Sequence, residues 1–240
     1  MAVDSLFYFG FGGCRMRILV INPVGTSVWN ENDKKIYQSF ASPDTKINVI
    51  SLEDGPTSIE TRRAEADAIP KIIDTALEHH KKYDAIIINC CADLGVDVLR
   101  SLLDKPIIGP CEASLAIAST LGKKIGIVTV SKTAIPIFEE LIRKLGFEGF
   151  VVSIRATDLS VPEIDRDKSR TMKLLLEECR KAENDGAEVI LLGCTGFAGF
   201  AEELKKHLNV PLIDPAGAAV KMAETLISLG LTHSKKRYFS

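Results

Sequence analysis

The chain repeats its own pattern at a spacing of a little over one hundred residues. Ile18 and Ile125 are 107 positions apart, Cys90 and Cys194 are 104 apart, and Pro106 and Pro211 are 105 apart. A period this long is too great for a solenoid and implies two sister domains rather than an array. In 240 residues each domain then has roughly 100 to 120, enough to bury a core of its own. After each cysteine the order is helix, short strand opened by KPIIGP or VPLIDP, then an Ala-rich helix, EASLAIAS or AGAAVKMAE. The second Ala-rich helix ends the fold and is expected to pack back on the first domain. The expected boundaries are therefore 16–112 plus 216–232 for the first domain and 113–215 for the second, with 1–15 as a disordered extension.

Short Val and Ile runs alternate with helix-like segments: RILVIN, INVIS, AIIIN and PIIG, then KIGIVTV, FVVSI, EVILLG and PLID. This reads as an α/β fold with mainly parallel sheets, and the near-continuous apolar character places helices on both faces. Helices are expected at Arg62 to Lys82, Thr133 to Leu145 and Ser169 to Asn184, with Pro70 bending or interrupting the first. In an open α/β sheet ligands gather at the carboxyl ends of the strands. Cys90 and Cys194 both follow such ends, so two domains facing each other about a pseudo-twofold axis would bring the sulfurs together in the cleft between them.

A net charge of −2 and a pI near 6.1 give no broad basic surface for nucleic acid. No apolar run reaches the roughly 18 residues of a membrane helix. The opening MAVDSLFYFGFGGCR has no basic start and no cleavage pattern, and so makes a poor signal peptide. The basic end HSKKRYFS reads as a solvated tail. Six irregularly placed cysteines do not resemble a disulfide framework and fit reduced cytoplasmic thiols. Adjacent Cys90 and Cys91 without a CxxC or His-rich partner do not make a zinc site, and no metal is expected. A single glutamine, Gln38, beside abundant Ile, Lys and Glu is the bias of heat-stable proteins.

Two thiols on opposite faces of a small molecule suit proton removal next to a carbonyl and its return on the other face, which inverts a stereocentre without any cofactor. A thiol near pKa 8.5 is brought toward neutrality by a helix N-terminus or polar donors, making thiolate and thiol a base and acid pair. Ala92, Gly95, Gly193 and Gly196 leave room beside them. Cys91 should point away from Cys90 by strand alternation, and Cys111 and Cys179 read as packing residues. Asn22 and Ser27, in the loop NPVGTS after the first strand, together with Thr129 and Thr195, are candidates for ligand hydrogen bonds. For the loop the competing reading is a plain βα turn with Ser or Thr capping. Asp93, a candidate substrate-binding residue, reads first as a helix cap and second as a charge that repels a second anion, and Glu112 reads as a first-turn charge. His79 and His80 read as solvated.

At these residues the chain resembles the aspartate/glutamate/hydantoin racemase superfamily, and within it the hydantoin racemase branch. The likeness runs from Met16 to Gly230 through ILVINP with its Thr-Ser, PTSIET, NCCADLG, GPCEA, IGIVT, LLGCTG and PLIDPAGAAVKMAE. It implies a cofactor-independent racemase of small molecules, a homo-oligomer, with Cys90 and Cys194 as the two bases and Asn22, Ser27, Thr129 and Thr195 near the substrate. The chain departs from the branch in having Val24-Gly25 where one Asn is usual and Leu94 where Pro is usual. It lacks the Thr-His that follows the second cysteine of glutamate racemases and their Asp-Ser-Gly opening. Alternatives are an amino-acid racemase, a decarboxylase or cis-trans isomerase of the same superfamily, a non-catalytic binding protein, or a redox pair.

Overall fold

The computed structural model describes residues 16–238; the expected extension 1–15 lies outside the described residues. Among these, the eight apolar runs form eight strands in two four-stranded sheets. In the first sheet β1 (Met16–Asn22), β2 (Thr45–Ser51), β3 (Ala85–Ile88) and β4 (Ile107–Ile108) stand in the order β2-β1-β3-β4. In the second, β5 (Ile125–Thr129), β6 (Val151–Ala156), β7 (Val189–Leu192) and β8 (Leu212–Ile213) repeat it as β6-β5-β7-β8. Every pairing is parallel.

The helices between them are α1 (Asn30–Phe40), α2 (Arg62–His79), α3 (Val96–Leu102), α4 (Pro110–Leu121), α5 (Ile135–Leu145), α6 (Val161–Arg166), α7 (Lys168–Asn184), α8 (Ala201–Leu204), α9 (Pro215–Ser228) and α10 (Lys235–Tyr238). Helix α2 runs through Pro70 without interruption. Pro70 and Ala66, whose carbonyl loses its partner to the proline ring, both lie on the exposed face, where the carbonyl left without an N–H is open to solvent rather than buried.

Strand alternation divides the core into layers. Leu19, Ile21, Ile86 and Ile88 face outward with α2 and α3, and Val128, Ile190 and Leu192 face outward with α7 and α8. The opposite faces, Ile18, Val20 and Ile87 of one sheet and Ile125, Ile127 and Leu191 of the other, share a single central cluster with α4 and α9. The two Ala-rich helices cross over. Helix α4 follows the first sheet but packs on β7 and β5, while α9 follows the second sheet but packs on β3, β4 and β1 and against α4. Small side chains such as Ala113, Ala118, Ala216 and Ala219 let these two helices approach each other.

The basic carboxyl-terminal segment is not simply solvated. His233 Nε2 accepts the N–H of edge-strand residue Ile107 at 2.8 Å, and the Tyr238 ring lies under the Arg100 guanidinium. This closes a sheet edge that would otherwise offer a free donor. Burial pushes the His233 imidazole down to about 4. No helix among the described residues is long and apolar enough to cross a membrane.

Candidate active site

A cavity of about 380 Å³ opens where the carboxyl ends of β1, β3, β5 and β7 meet, a size suited to a small molecule. Parallel register puts the strand ends side by side. Ile21 pairs with Ile88, so Asn22 and Asn89 emerge together, and Val128 pairs with Leu192, so Thr129 and Gly193 do the same. Cys90 and Cys194 are the next residues, and both line the cavity.

The two cysteines sit in matching turns. The carbonyl of Cys90 accepts the N–H of Asp93 and that of Cys194 accepts the N–H of Phe197, each three residues on. Each sulfur in turn meets an N–H two residues on. Ala92 donates to Cys90, while Gly196, at 3.4 Å, donates to Cys194 with help from Phe197. Sequence reasoning expected thiols drawn toward neutrality. Instead burial pushes the Cys90 thiol up to about 12 and the Cys194 thiol up to about 11, the N–H donors recovering only part of the loss. Helix α3 begins six residues after Cys90, behind the left-handed Gly95, so Cys90 does not sit at its first turn.

Thr129 and Thr195 hold the turns in place. The Thr129 hydroxyl donates to the carbonyl of Gly193, the residue before Cys194, at 3.2 Å. The Thr195 hydroxyl donates to the carbonyl of Asn89, the residue before Cys90, also at 3.2 Å. Both hydroxyl protons are thus committed to the backbone, although both residues line the cavity. Gly193 leaves its space to the protein, since a Cβ there would come within 2.8 Å of Ile127 and 3.0 Å of Phe138. Gly196 lines the cavity, and a Cβ on it would come within 2.9 Å of Ile164.

Ser27 and Asp93 do not line the cavity. Ser27 is exposed, and its carbonyl accepts the N–H of Asn30 at the start of α1. It belongs to an ordinary βα turn. Asp93 is buried, with φ of 50°, and its carboxylate accepts the N–H groups of Cys111 and Glu112 in the first turn of α4. Capping wins over substrate contact, and the helix capped is α4 rather than the nearer α3. The second domain reaches the same result from the opposite end. There Asp214 caps α9 through Ala216 and Gly217 and also accepts the N–H of Gly199 in the turn after Cys194. Glycine stands at 109, the repeat counterpart of 214, and a Cβ on Gly109 would collide with the Asp93 carboxyl. Glu112 adds an ion pair with Arg100 at 2.7 Å. Cys91, Cys111 and Cys179 are buried in the apolar layers, and His79 and His80 close α2 away from the cavity.

Asn89, Asp33 and Tyr37 were not anticipated. Asp33 and Tyr37 lie on α1, which packs on β2 and α9. The buried Tyr37 hydroxyl donates to Asn89 Oδ1 at 2.6 Å. Asn89 Nδ2 donates to Asn22 Oδ1 and to Asp33 Oδ2, and Asn22 Nδ2 donates to the same Asp33 oxygen at 2.8 Å and to Asn30. Burial raises the Asp33 carboxyl to about 6, against the pull of Asn22. Among the described residues Glu65 and Asp165 add two more carboxyls to the lining and Lys168 one cation, and Glu65 Oε1 is buried without a hydrogen-bond partner. The loop after β1 also presses on the one after β2. Gly25 donates to the Pro56 carbonyl, and a Cβ on Gly25 would lie 2.5 Å from the Gly55 backbone. That contact brings Ser58 and Ile59 to the cavity wall.

Two parallel α/β sheets that meet over matched cysteine turns define an enzyme of the racemase class. The chain belongs to the Asp/Glu/Hydantoin racemase family, whose model matches residues 18–223, and it is an isomerase. It is similar to the hydantoin racemase of Pseudomonas sp. (strain NS671), 37% identical over 93% of this chain and 91% of the relative. The hydantoin racemase of Paenarthrobacter aurescens is 35% identical over 92% of this chain and 94% of its own. Among solved structures, the allantoin racemase from Klebsiella pneumoniae superposes with a TM-score of 0.89 at 32% identity, covering 94% of both chains.

Proposed function

We propose that this chain racemises 5-substituted hydantoins or closely related amino-acid derivatives by two-base proton transfer between Cys90 and Cys194. The observation that carries the reading is the pair of repeat-equivalent cysteines on one cavity, each sulfur facing the N–H two residues further on. The thiolate of one cysteine takes the proton from C5, and the electron pair passes onto the adjacent carbonyl as an enolate. The thiol of the other returns a proton to the opposite face. The two sulfurs then have exchanged protonation states, and the reverse reaction begins from there. A thiol near 11 or 12 makes a strong base once ionised, matched to a weakly acidic carbon.

The charge of the lining favours a neutral ring over a free amino acid. Among the described residues Asp33, Glu65 and Asp165 line the cavity against one cation, Lys168, so a substrate carboxylate would meet like charge. The names of the similar proteins point the same way, since allantoin is itself a hydantoin substituted at C5. The test is exchange of the C5 hydrogen in heavy water, followed with optical rotation for each enantiomer of 5-benzylhydantoin. Cys90→Ala and Cys194→Ala should each lose racemisation. Undiminished racemisation in either variant would sink the two-base reading.

A further inference from the structure

Asp33 has one oxygen occupied and one open. Its Oδ2 accepts both side-chain amides, from Asn22 and from Asn89. Its Oδ1 has no hydrogen-bond partner among the described residues and is not sealed in the interior, while the residue itself lines the cavity. The supporting amides have fixed orientations: Tyr37 donates to Asn89 Oδ1, Asn89 donates to Asn22 Oδ1, and the Nδ2 groups of both are left to point at Asp33. An acceptor held this rigidly from behind pays little reorganisation when a donor arrives in front.

We propose that Asp33 Oδ1 accepts a ring N–H of the substrate, making Asp33 the residue that selects cyclic ureides with a free N–H. This rests on reading Cys90 and Cys194 as the proton-transfer pair. A hydantoin carries two such N–H groups, one on N1 beside the reacting carbon and one on N3 between the carbonyls. Methylation of the contacted nitrogen leaves the Asp33 oxygen desolvated and unpaired, which is the situation that discriminates most sharply between similar ligands. Above about pH 6 the group is ionised, an acceptor only.

The same geometry states what Asp33→Asn does. Two amide donors still converge on the former Oδ2 position, so the new carboxamide must place its oxygen there and turn its NH₂ toward the cavity. A donor then faces a donor. The variant keeps the shape of the site and inverts its polarity at one atom.

The experiment compares wild type with Asp33→Asn on 5-benzylhydantoin and on its N1-methyl and N3-methyl derivatives, measuring kcat and KM and the exchange of the C5 hydrogen in heavy water. Wild type should lose kcat/KM by roughly ten- to hundredfold on one of the two methylated compounds, mainly through KM. Asp33→Asn should lose a similar factor on the parent hydantoin and little more on that methylated compound, so discrimination collapses. If wild type exchanges the parent but treats both methylated rings equally well, the Asp33 assignment alone is overturned. It is overturned too if the isosteric variant discriminates as strongly as wild type, since the preference is then steric. If wild type exchanges no hydantoin at all, the racemase reading fails and this inference with it.

Discussion

Thr195, the residue after Cys194, donates its hydroxyl to the carbonyl of Asn89, the residue before Cys90. One hydrogen bond of 3.2 Å thus joins the two cysteine turns directly across 106 residues of chain. Thr195→Val keeps the shape and removes the donor. A single neutral hydrogen bond is worth about 1 kcal/mol, so the melting temperature should move little, but misplacement of a reacting group by even about 1 Å costs up to ~10²-fold in rate. The expected outcome is a fall in kcat of about tenfold or more with KM nearly unchanged, and recovery in Thr195→Ser. A loss confined to KM would show that Thr195 serves the substrate and not the turns.

The thiols predict their own reactivity. Burial above all holds Cys194 up to about 11 and Cys90 up to about 12, with smaller contributions from neighbouring groups, Glu60 and Asp33 for Cys194, and Cys194, Asp93 and Glu65 for Cys90. The thiolate is the reactive form. In the free enzyme, alkylation by iodoacetamide should therefore climb about tenfold per pH unit between 7 and 10, with Cys194 modified ahead of Cys90. Peptide mass spectrometry after timed quenching reads both rates. A rate already level above pH 8 would mean that one sulfur is ionised near neutrality.

The strands were legible because a sheet covered on both faces must be apolar at every position, as in Ala85 to Ile88. The cysteines were legible because duplication marks equivalent strand ends. Asp33 was not legible: in NENDKKIYQSF it sits among Glu31, Lys34 and Lys35 like any residue of a solvated face, and only the packing of α1 turns it inward. Asn89 had a signal that was passed over, since it ends its apolar run as Asn22 ends β1. The target of Asp93 could not be read locally, because the helix it caps begins seventeen residues later, at Pro110. The thiol acidities are not local either, because the burial that raises them comes from elements of both halves packed around the cavity.

Asp33 also couples stability to pH. Its folded pKa, about 6, lies above the ordinary 3.8, through desolvation first and then the charge of Asp165, with Asn22 opposing. A raised carboxyl contributes stability that is fully present below the unfolded value and lost as pH rises through the folded one. Asp33→Asn escapes that loss. At pH 8 it should be more stable than wild type by about 1 to 3 kcal/mol, and the gain should vanish by about pH 4. Urea unfolding at a series of pH values measures this. A variant that gains stability while losing kcat/KM would mark Asp33 as a group kept for function at a cost to the fold.

The carboxylates at 93 and 214 allow an exchange experiment. In the first half the cysteine turn sends Asp93 to cap α4, and Gly109 makes room for it; in the second half the position equivalent to 109 is Asp214, which caps α9 itself. The backbone at 109 has φ −92° and ψ 126°, close to the −84° and 123° at 214, so an aspartate fits there without strain. Asp93→Gly keeps the left-handed backbone at 93 but leaves the N–H groups of Cys111 and Glu112 unpaired, a cost of about 1 to 3 kcal/mol. Gly109→Asp alone sets a second carboxylate against Asp93 and should destabilise by a similar amount or more. The double variant moves the carboxylate to the position used in the other half and should recover most of the loss. Calorimetry at pH 8 suits the comparison, because burial holds Asp93 up to about 7, so the group is a carboxylate there and the loss of stability that accompanies its ionisation is complete. Additive losses in the double variant would show that the two halves do not cap their crossing helices interchangeably.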